Sequence, residues 1–242
     1  MHPASEANSF KILRAFSVPK RDDTPNEDRR DQSSDNRIVA VSDGASVSFD
    51  SAPWAQILCR RFINDPNVSR DWLRAAVVEY QSAYDRETMP WMQQGAFDRG
   101  SFATLLGVSL SNDLQLARII AVGDSILALV DRRQVVRTIP YMQSDDFDRS
   151  PNLISTNPAE NDFLDDEFIS NAWHEINLSS YDEPFFLLMT DALGRWLIDR
   201  PDTERVSILL DIQNHETFFC FVERERADGR LKRDDTTLVV IG

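Results

Sequence analysis

FATLLGVSLSNDLQLARIIAVGDSILALVDRRQVVRTIP, residues 102–140, reads as four strands in succession. The apolar runs FATLLGVSL, LQLARIIAVGD, SILALVD and QVVRTIP are separated by turn signals such as SND and DRRQ, which predicts an antiparallel meander. Upstream, residues 10–19 read as extended and the polar loop KRDDTPNEDRRDQSSDN follows. Ile38 to Val41 is then a short apolar run suited to a buried strand. Helical spacing begins at Ser51, an N-cap with Pro53 near the first turn, and continues through Phe62. A second helix starts near Asp71, placing Leu73, Ala76, Val77, Tyr80 and Tyr84 on one face at spacings of three and four. Downstream, residues 141–184 are acidic, irregular and rich in Asn, Asp, Ser and Pro, a candidate flap or insertion. The strand Phe185 to Asp191 comes next, then two or three helical segments within 193–226, and TTLVVIG closes the chain as a strand. Helices gathered in two batches between groups of strands imply an α+β sandwich of antiparallel sheets.

The chain has 242 residues, 42% of them hydrophobic, enough for a substantial core, and a single domain over 1–242 is expected. Lys and Arg number 26 against 40 Asp and Glu, a formal charge of −14 that repels nucleic-acid backbones and anionic membranes, so neither is expected as a partner. The N-terminal residues lack a basic leader followed by an apolar run, and no stretch approaches the roughly 18 apolar residues of a membrane span. A cytoplasmic location is the expectation. Cys59 and Cys220 each lie in an apolar run and are expected as buried free thiols.

The usual nucleophile and nucleotide motifs are absent. There is no Gly-x-Ser-x-Gly elbow, Walker loop or Gly-x-Gly-x-x-Gly, and His2, His174 and His215 are too scattered for a zinc motif. Cys220 and Arg226 have the Cys-x5-Arg spacing of cysteine phosphatases. The intervening FVERE, bulky and carrying two glutamates, is unsuited to wrapping an anion. What stands out is a set of aspartates at the ends of apolar strands: Asp43, Asp124, Asp191 and Asp234-Asp235, with Glu27-Asp28 in the first polar loop. Each alone could cap a helix or close a turn. Converging in one cleft, they could not all stay ionised without a cation, and hard ions such as Mg²⁺ or Mn²⁺ prefer such oxygen ligands.

The motifs PNED (25–28), VSDGAS (41–46), GSFATLLGVSL (100–110), AVGDS (121–125), LLMTDALGRW (187–196) and RDDTTLVV (233–240) together resemble the metal-dependent serine/threonine phosphatases of the PPM, or protein phosphatase type 2C, family. The resemblance spans nearly the whole chain and is nearest to a compact bacterial branch. It implies a four-layer αββα sandwich, two antiparallel sheets flanked by helix pairs, with two Mn²⁺ or Mg²⁺ ions at one edge. By motif, Asp43 would bridge the ions, Asp191 and Asp234 would hold the first, and Glu27 or Asp28 with the Gly44 carbonyl the second. Asp124 matches the position of a weak third ion. Two such ions would share a water whose pKa falls towards about 7, and that hydroxide would attack the phosphorus.

The sequence also departs from the family pattern. The arginine that grips phosphate in many members is replaced by Asp23, leaving Lys20 or Arg21 as substitutes. Ala45 stands where a histidine often follows Asp-Gly. The tryptophans Trp54, Trp72, Trp91, Trp173 and Trp196 read as core or interface aromatics, and Ser101 and Thr104 as packing behind the site. The expected activity is hydrolysis of phosphoserine or phosphothreonine on proteins, with a cognate kinase as counterpart. The alternatives are a catalytically silent member of the same fold that binds a phosphoprotein or signalling partner, and an acidic metal-binding module.

Overall fold

The computed structural model describes residues 11–242, so His2 lies outside the described residues. Strands β1 (Ile12–Val18), β2 (Arg29–Gln32) and β3 (Ile38–Ser42) are followed by helices α1 (Ser51–Asn64), α2 (Arg70–Ser82) and α3 (Trp91–Arg99). The central run is β4 (Phe102–Ala103), β5 (Leu105–Leu110), β6 (Leu116–Val122), β7 (Ile126–Asp131) and β8 (Gln134–Ile139). Then come β9 (Ile154–Ser155), α4 (Asp166–Ala172), β10 (Trp173–Asn177) and β11 (Pro184–Met189). Helices α5 (Asp191–Asp199), α6 (Thr203–Asp211) and α7 (His215–Ala227) precede the last strand, β12 (Thr236–Ile241).

Two five-stranded antiparallel sheets, ordered β1-β12-β11-β7-β8 and β10-β6-β5-β3-β2, form the sandwich. Side chains alternate across each strand, so Phe186 and Leu188 of β11 meet Val39, Leu106 and Val108 of the opposite sheet between the layers. Leu187 and Met189 point the other way, into a core with Leu193, Leu197, Val206 and Phe218 of α5, α6 and α7. On the far side Trp54, Leu58 and Phe62 of α1 and Leu73 and Val77 of α2 cover Ala40, Leu105 and Ile120. Strands buried on both faces read as unbroken apolar runs, which is why FFLLM and TTLVVI lack polar alternation. The αββα sandwich expected from the sequence is therefore the observed fold.

The meander is corrected in one respect. β5 pairs with β6 and β7 with β8, but β6 and β7 lie in different sheets, joined by a crossover at Gly123, whose φ is +101°. Doubly buried strands carry no pattern that tells one sheet from the other, so the sequence could not show the switch. FATLLGVSL is also two strands. β4 pairs with β9 in a small separate sheet, and the Thr104 amide turns to donate to the Asp43 carbonyl at 2.9 Å. β2, with the sequence RRDQ, is a sheet edge that among the described strands pairs with β3 alone, and it carries no apolar signal. Residues 141–184 contain α4 and β10, and β10 extends the second sheet by pairing with β6. Cys59 is buried and Cys220 exposed, so the expectation of two buried thiols fails at Cys220, which sits on the outer side of α7. Trp91 is 81% exposed, unlike Trp54, Trp72 and Trp196 in the core. Among the described residues no helix is long and apolar enough to cross a membrane.

Candidate active site

Five aspartates come to one edge of the sandwich because the strands that carry them end there. Asp43 follows β3, Asp191 follows β11 to open α5, Asp234 precedes β12, Asp124 sits in the β6–β7 crossover and Asp28 precedes β2. Hydroxyls fix these turns. Thr104 Oγ1 accepts from the Asp43 amide at 2.8 Å and shares a 2.7 Å hydrogen bond with Ser125, tying the Asp43 and Asp124 turns together. Thr190, just past the end of β11, and Thr237 of the neighbouring β12 both donate to Asp28 Oδ2, at 3.0 and 2.6 Å, while Thr190 Oγ1 also accepts from the Thr237 amide. A pocket of about 200 Å³ is lined by Asp43, Gly44, Ser46, Asp124, Asp191 and Asp234, with Pro151 and Leu153 of the 141–184 stretch on its wall.

The electrostatics are those of crowded anions. Asp28 is buried, and its Oδ1 has no hydrogen-bond partner. Burial pushes its pKa up to about 8, and the charges of Asp235 and Asp191 add to the rise. The Asp43 carboxyl is raised well above the ordinary range by burial first, then by Asp28, Asp191, Asp124 and Asp234. Asp124 rises to about 6 through burial and Asp191. The Asp191 carboxyl is raised too, burial outweighing the opposing pull of Lys232. The Lys232 ammonium lies 3.0 Å from Asp191 and 2.8 Å from Asp234, and those two charges raise its pKa against its own desolvation. No salt-bridge partner is found for Asp28, Asp43 or Asp124 among the described residues.

These features bear on a divalent cation. An unpartnered buried carboxylate oxygen, mutually raised carboxylates and an all-oxygen donor set suit a hard ion. Gly44 adds a close approach: a Cβ there would lie 3.0 Å from the Glu27 carbonyl and from Ser51 Oγ. Even so, among the described residues no group of three or more His, Cys, Asp or Glu is arranged to hold a metal ion as it stands. The donors fit the group in kind, while Lys232 sits between two of them.

Of the residues singled out from the sequence, Asp43, Gly44, Asp124, Asp191 and Asp234 share the pocket, and Asp28 is coupled to it by charge. Glu27 lies at the pocket rim, ion-paired with Lys20 at 2.7 Å and accepting from the pocket residue Ser46 and from Ser51, the latter at 2.8 Å, whereas Asp28 has no ion-pair partner among the described residues. Lys20 reaches the pocket rim through a 2.5 Å hydrogen bond with Ser46, but its charge is matched by Glu27. Arg21 lines a different depression, beside Phe219, Glu223 and Arg233. Asp235 instead fixes the loop by accepting from the Lys20 and Glu27 amides, each at 2.6 Å.

The Cys-x5-Arg pair lies on α7, which makes a phosphate-wrapping loop impossible there. Arg226 has another task, one that no local sequence pattern reveals. Buried, it donates to the carbonyls of Pro19 and Asp234 and to Thr236, holding the backbone on which Asp234 rides. Ser101 hydrogen-bonds Tyr80 at 2.6 Å, behind the site, whereas Thr104 touches the Asp43 backbone. His174 and His215 contact Arg137 and the Ser17 carbonyl, away from the carboxylates.

Neither a family model nor any curated protein matches this sequence. Solved structures do match in shape. The serine/threonine phosphatase Stp1 of Staphylococcus aureus superposes with a TM-score of 0.63 at 14% identity, covering 95% of this chain and 93% of that one. The catalytic domain of the serine/threonine phosphatase PstP, in complex with two manganese ions, gives 0.60 at 17% identity over 95% and 97%. PppA of Pseudomonas aeruginosa, a regulatory component of a type VI secretion system, gives 0.58 at 16% identity over 96% of each chain. The two packed sheets, their helical covers and the carboxylate-bearing edge together give this chain the fold of the PPM-type serine/threonine phosphatases.

Proposed function

We propose that the protein is a metal-dependent phosphatase acting on phosphoserine or phosphothreonine of proteins. The carrying observation is the convergence of Asp28, Asp43, Asp124, Asp191 and Asp234 from five chain segments, with a buried, unpartnered oxygen on Asp28. Asp43, Asp191 and Asp234 would hold one Mn²⁺ or Mg²⁺ ion. Asp43 and Asp28, with the Gly44 carbonyl, would hold a second, and Asp124 a weak third. Bound divalent ions supply charge to neutralise phosphoryl oxygens and to make water nucleophilic near neutral pH.

The chain's own groups do the rest. Thr190 and Thr237 orient Asp28, and Thr104 fixes the Asp43 turn. Lys20 and Ser46 at the rim are placed to meet substrate phosphate, provided that Lys20 leaves Glu27. With Ala45 after Gly44 no imidazole stands ready to protonate the leaving alkoxide, so water supplies that proton. A single domain spanning 1–242 and a protein kinase acting on the same substrates complete the reading.

The second reading, a silent member of the fold that binds a phosphoprotein, is favoured by Lys20 being matched by Glu27 and by Lys232 lying between Asp191 and Asp234. Hydrolysis of p-nitrophenyl phosphate and of a phosphothreonine peptide with Mn²⁺ separates the two. The expected result is turnover that stops on chelation and is lost in Asp43→Asn and Asp191→Asn. Turnover indifferent to chelator, or retained in both variants, overturns the metal-dependent reading, and no turnover at all favours the silent one.

A further inference from the structure

Among the described residues one cation, Lys232, is ion-paired directly with the aspartates of the acidic edge. Lys232 Nζ lies 3.0 Å from Asp191 Oδ2 and 2.8 Å from Asp234 Oδ2, bridging the ends of two adjacent strands. Its side chain is 59% exposed, so the stem enters from solvent and can swing out without disturbing the core. An ammonium is a compact point charge on a flexible stem, and at these distances it takes the lone pairs through which a carboxylate would hold an ion. Among the described residues Asp28, Asp43 and Asp124 make no ion pair, and Asp28 Oδ1 remains unpartnered.

We propose that Lys232 is a tethered competitor for the cation site: its ammonium holds Asp191 and Asp234 together in the metal-free protein and must be displaced before a divalent ion can bind them. This rests on the reading of the site as a metal centre. The same contact therefore has opposite effects in two states. It lowers the repulsion that the empty edge would otherwise carry, and it raises the cation concentration needed to fill that edge. By linkage the two effects are reciprocal. The protein would thus respond to divalent cation over a higher concentration range than its carboxylates alone would set.

Calorimetric titration of chelator-stripped protein with Mn²⁺, joined to thermal unfolding with and without Mn²⁺, tests this in wild type, Lys232→Met and Lys232→Gln. Both variants are expected to bind Mn²⁺ about tenfold more tightly. They should unfold at a lower temperature than wild type without metal and at the same or a higher temperature with saturating Mn²⁺. Equal or weaker Mn²⁺ binding in the variants, with wild type still binding, overturns the competition and leaves the metal centre standing. Binding by none of the three overturns both.

A readout on the unmutated chain covers the case in which the variants fail to fold. The sequence has only three lysines, Lys11, Lys20 and Lys232, so the Cε resonance of Lys232 can be followed in selectively labelled protein. It should move towards the position of a free lysine as Mg²⁺ is added. A resonance unchanged at saturating Mg²⁺ overturns the proposal.

Discussion

Asp28 is held by two hydroxyls on one oxygen and by nothing on the other, inside protein. Burial lifts its pKa from 3.8 to about 8, so the folded state binds a proton that the unfolded state has released. The sign follows from linkage: the group costs nothing below about pH 4, and stability falls as pH rises from there to about 8. Asp28→Asn keeps an oxygen for Thr190 and Thr237 and removes the titration. Metal-free Asp28→Asn should gain about 1 kcal/mol or more at pH 7 in urea unfolding, with a flatter pH profile, while losing the proposed phosphatase turnover. A variant no more stable than wild type at pH 7 would show that the buried charge costs little. At this scale Asp43, Asp124, Asp191 and Asp234 were legible, since each stands beside an apolar strand in a motif of the family. Thr190 and Thr237 were not, because their link to Asp28 spans 162 and 209 residues of sequence. Lys232 and Arg226 were hidden too, because Lys232 meets Asp191 and Arg226 meets the Pro19 carbonyl only in the folded chain.

Where helices dock on sheets, two contacts carry testable weight. Gly107 of β5 faces Phe62 of α1 so closely that a Cβ would lie 2.5 Å from the ring. Gly107→Ala should therefore destabilise by about 1–3 kcal/mol through overpacking, read as a lowered urea midpoint. Gly107→Ala combined with Phe62→Leu should recover part of that loss, and no recovery would place the strain elsewhere. On the other side Glu225 of α7 accepts from Trp196 of α5 at 3.0 Å and from Arg230 at 2.7 and 2.9 Å. The Arg230 hydrogen bonds lead the causes that hold its pKa down to about 2, so its contribution is complete above about pH 4.5 and is lost as pH falls towards 2. In Glu225→Gln the unfolding midpoint should vary less with pH over that window than in wild type. A parallel pH profile would assign the acid sensitivity to other carboxylates. Most strands and helices were readable from apolar runs and spacing, but β2 was not, because a polar edge strand looks like loop. The crossover at Gly123 escaped because strands apolar on both faces do not declare their sheet.

Across the whole molecule, 40 acidic side chains against 26 basic ones give a formal charge of −14, and five of the aspartates are concentrated at one end of the sandwich. Monovalent salt screens such repulsion diffusely, whereas an ion bound by Asp43, Asp191 and Asp234 would act at one place. The two effects separate by concentration. Binding to the folded state alone stabilises by about 1.4 kcal/mol per tenfold of free ligand above its Kd, so Mn²⁺ or Mg²⁺ should raise the unfolding temperature in a regular logarithmic series. Sodium chloride at equal ionic strength should do far less, and Asp43→Asn should abolish the divalent increment. The increment should also shrink from pH 8 to pH 5, because protons compete for Asp43, Asp28 and Asp124, all of which are raised in the metal-free fold. Equal stabilisation by sodium and manganese, or an increment that survives Asp43→Asn, would mean that the acidic edge is merely screened. The fold would then keep its crowded carboxylates without assembling them around an ion.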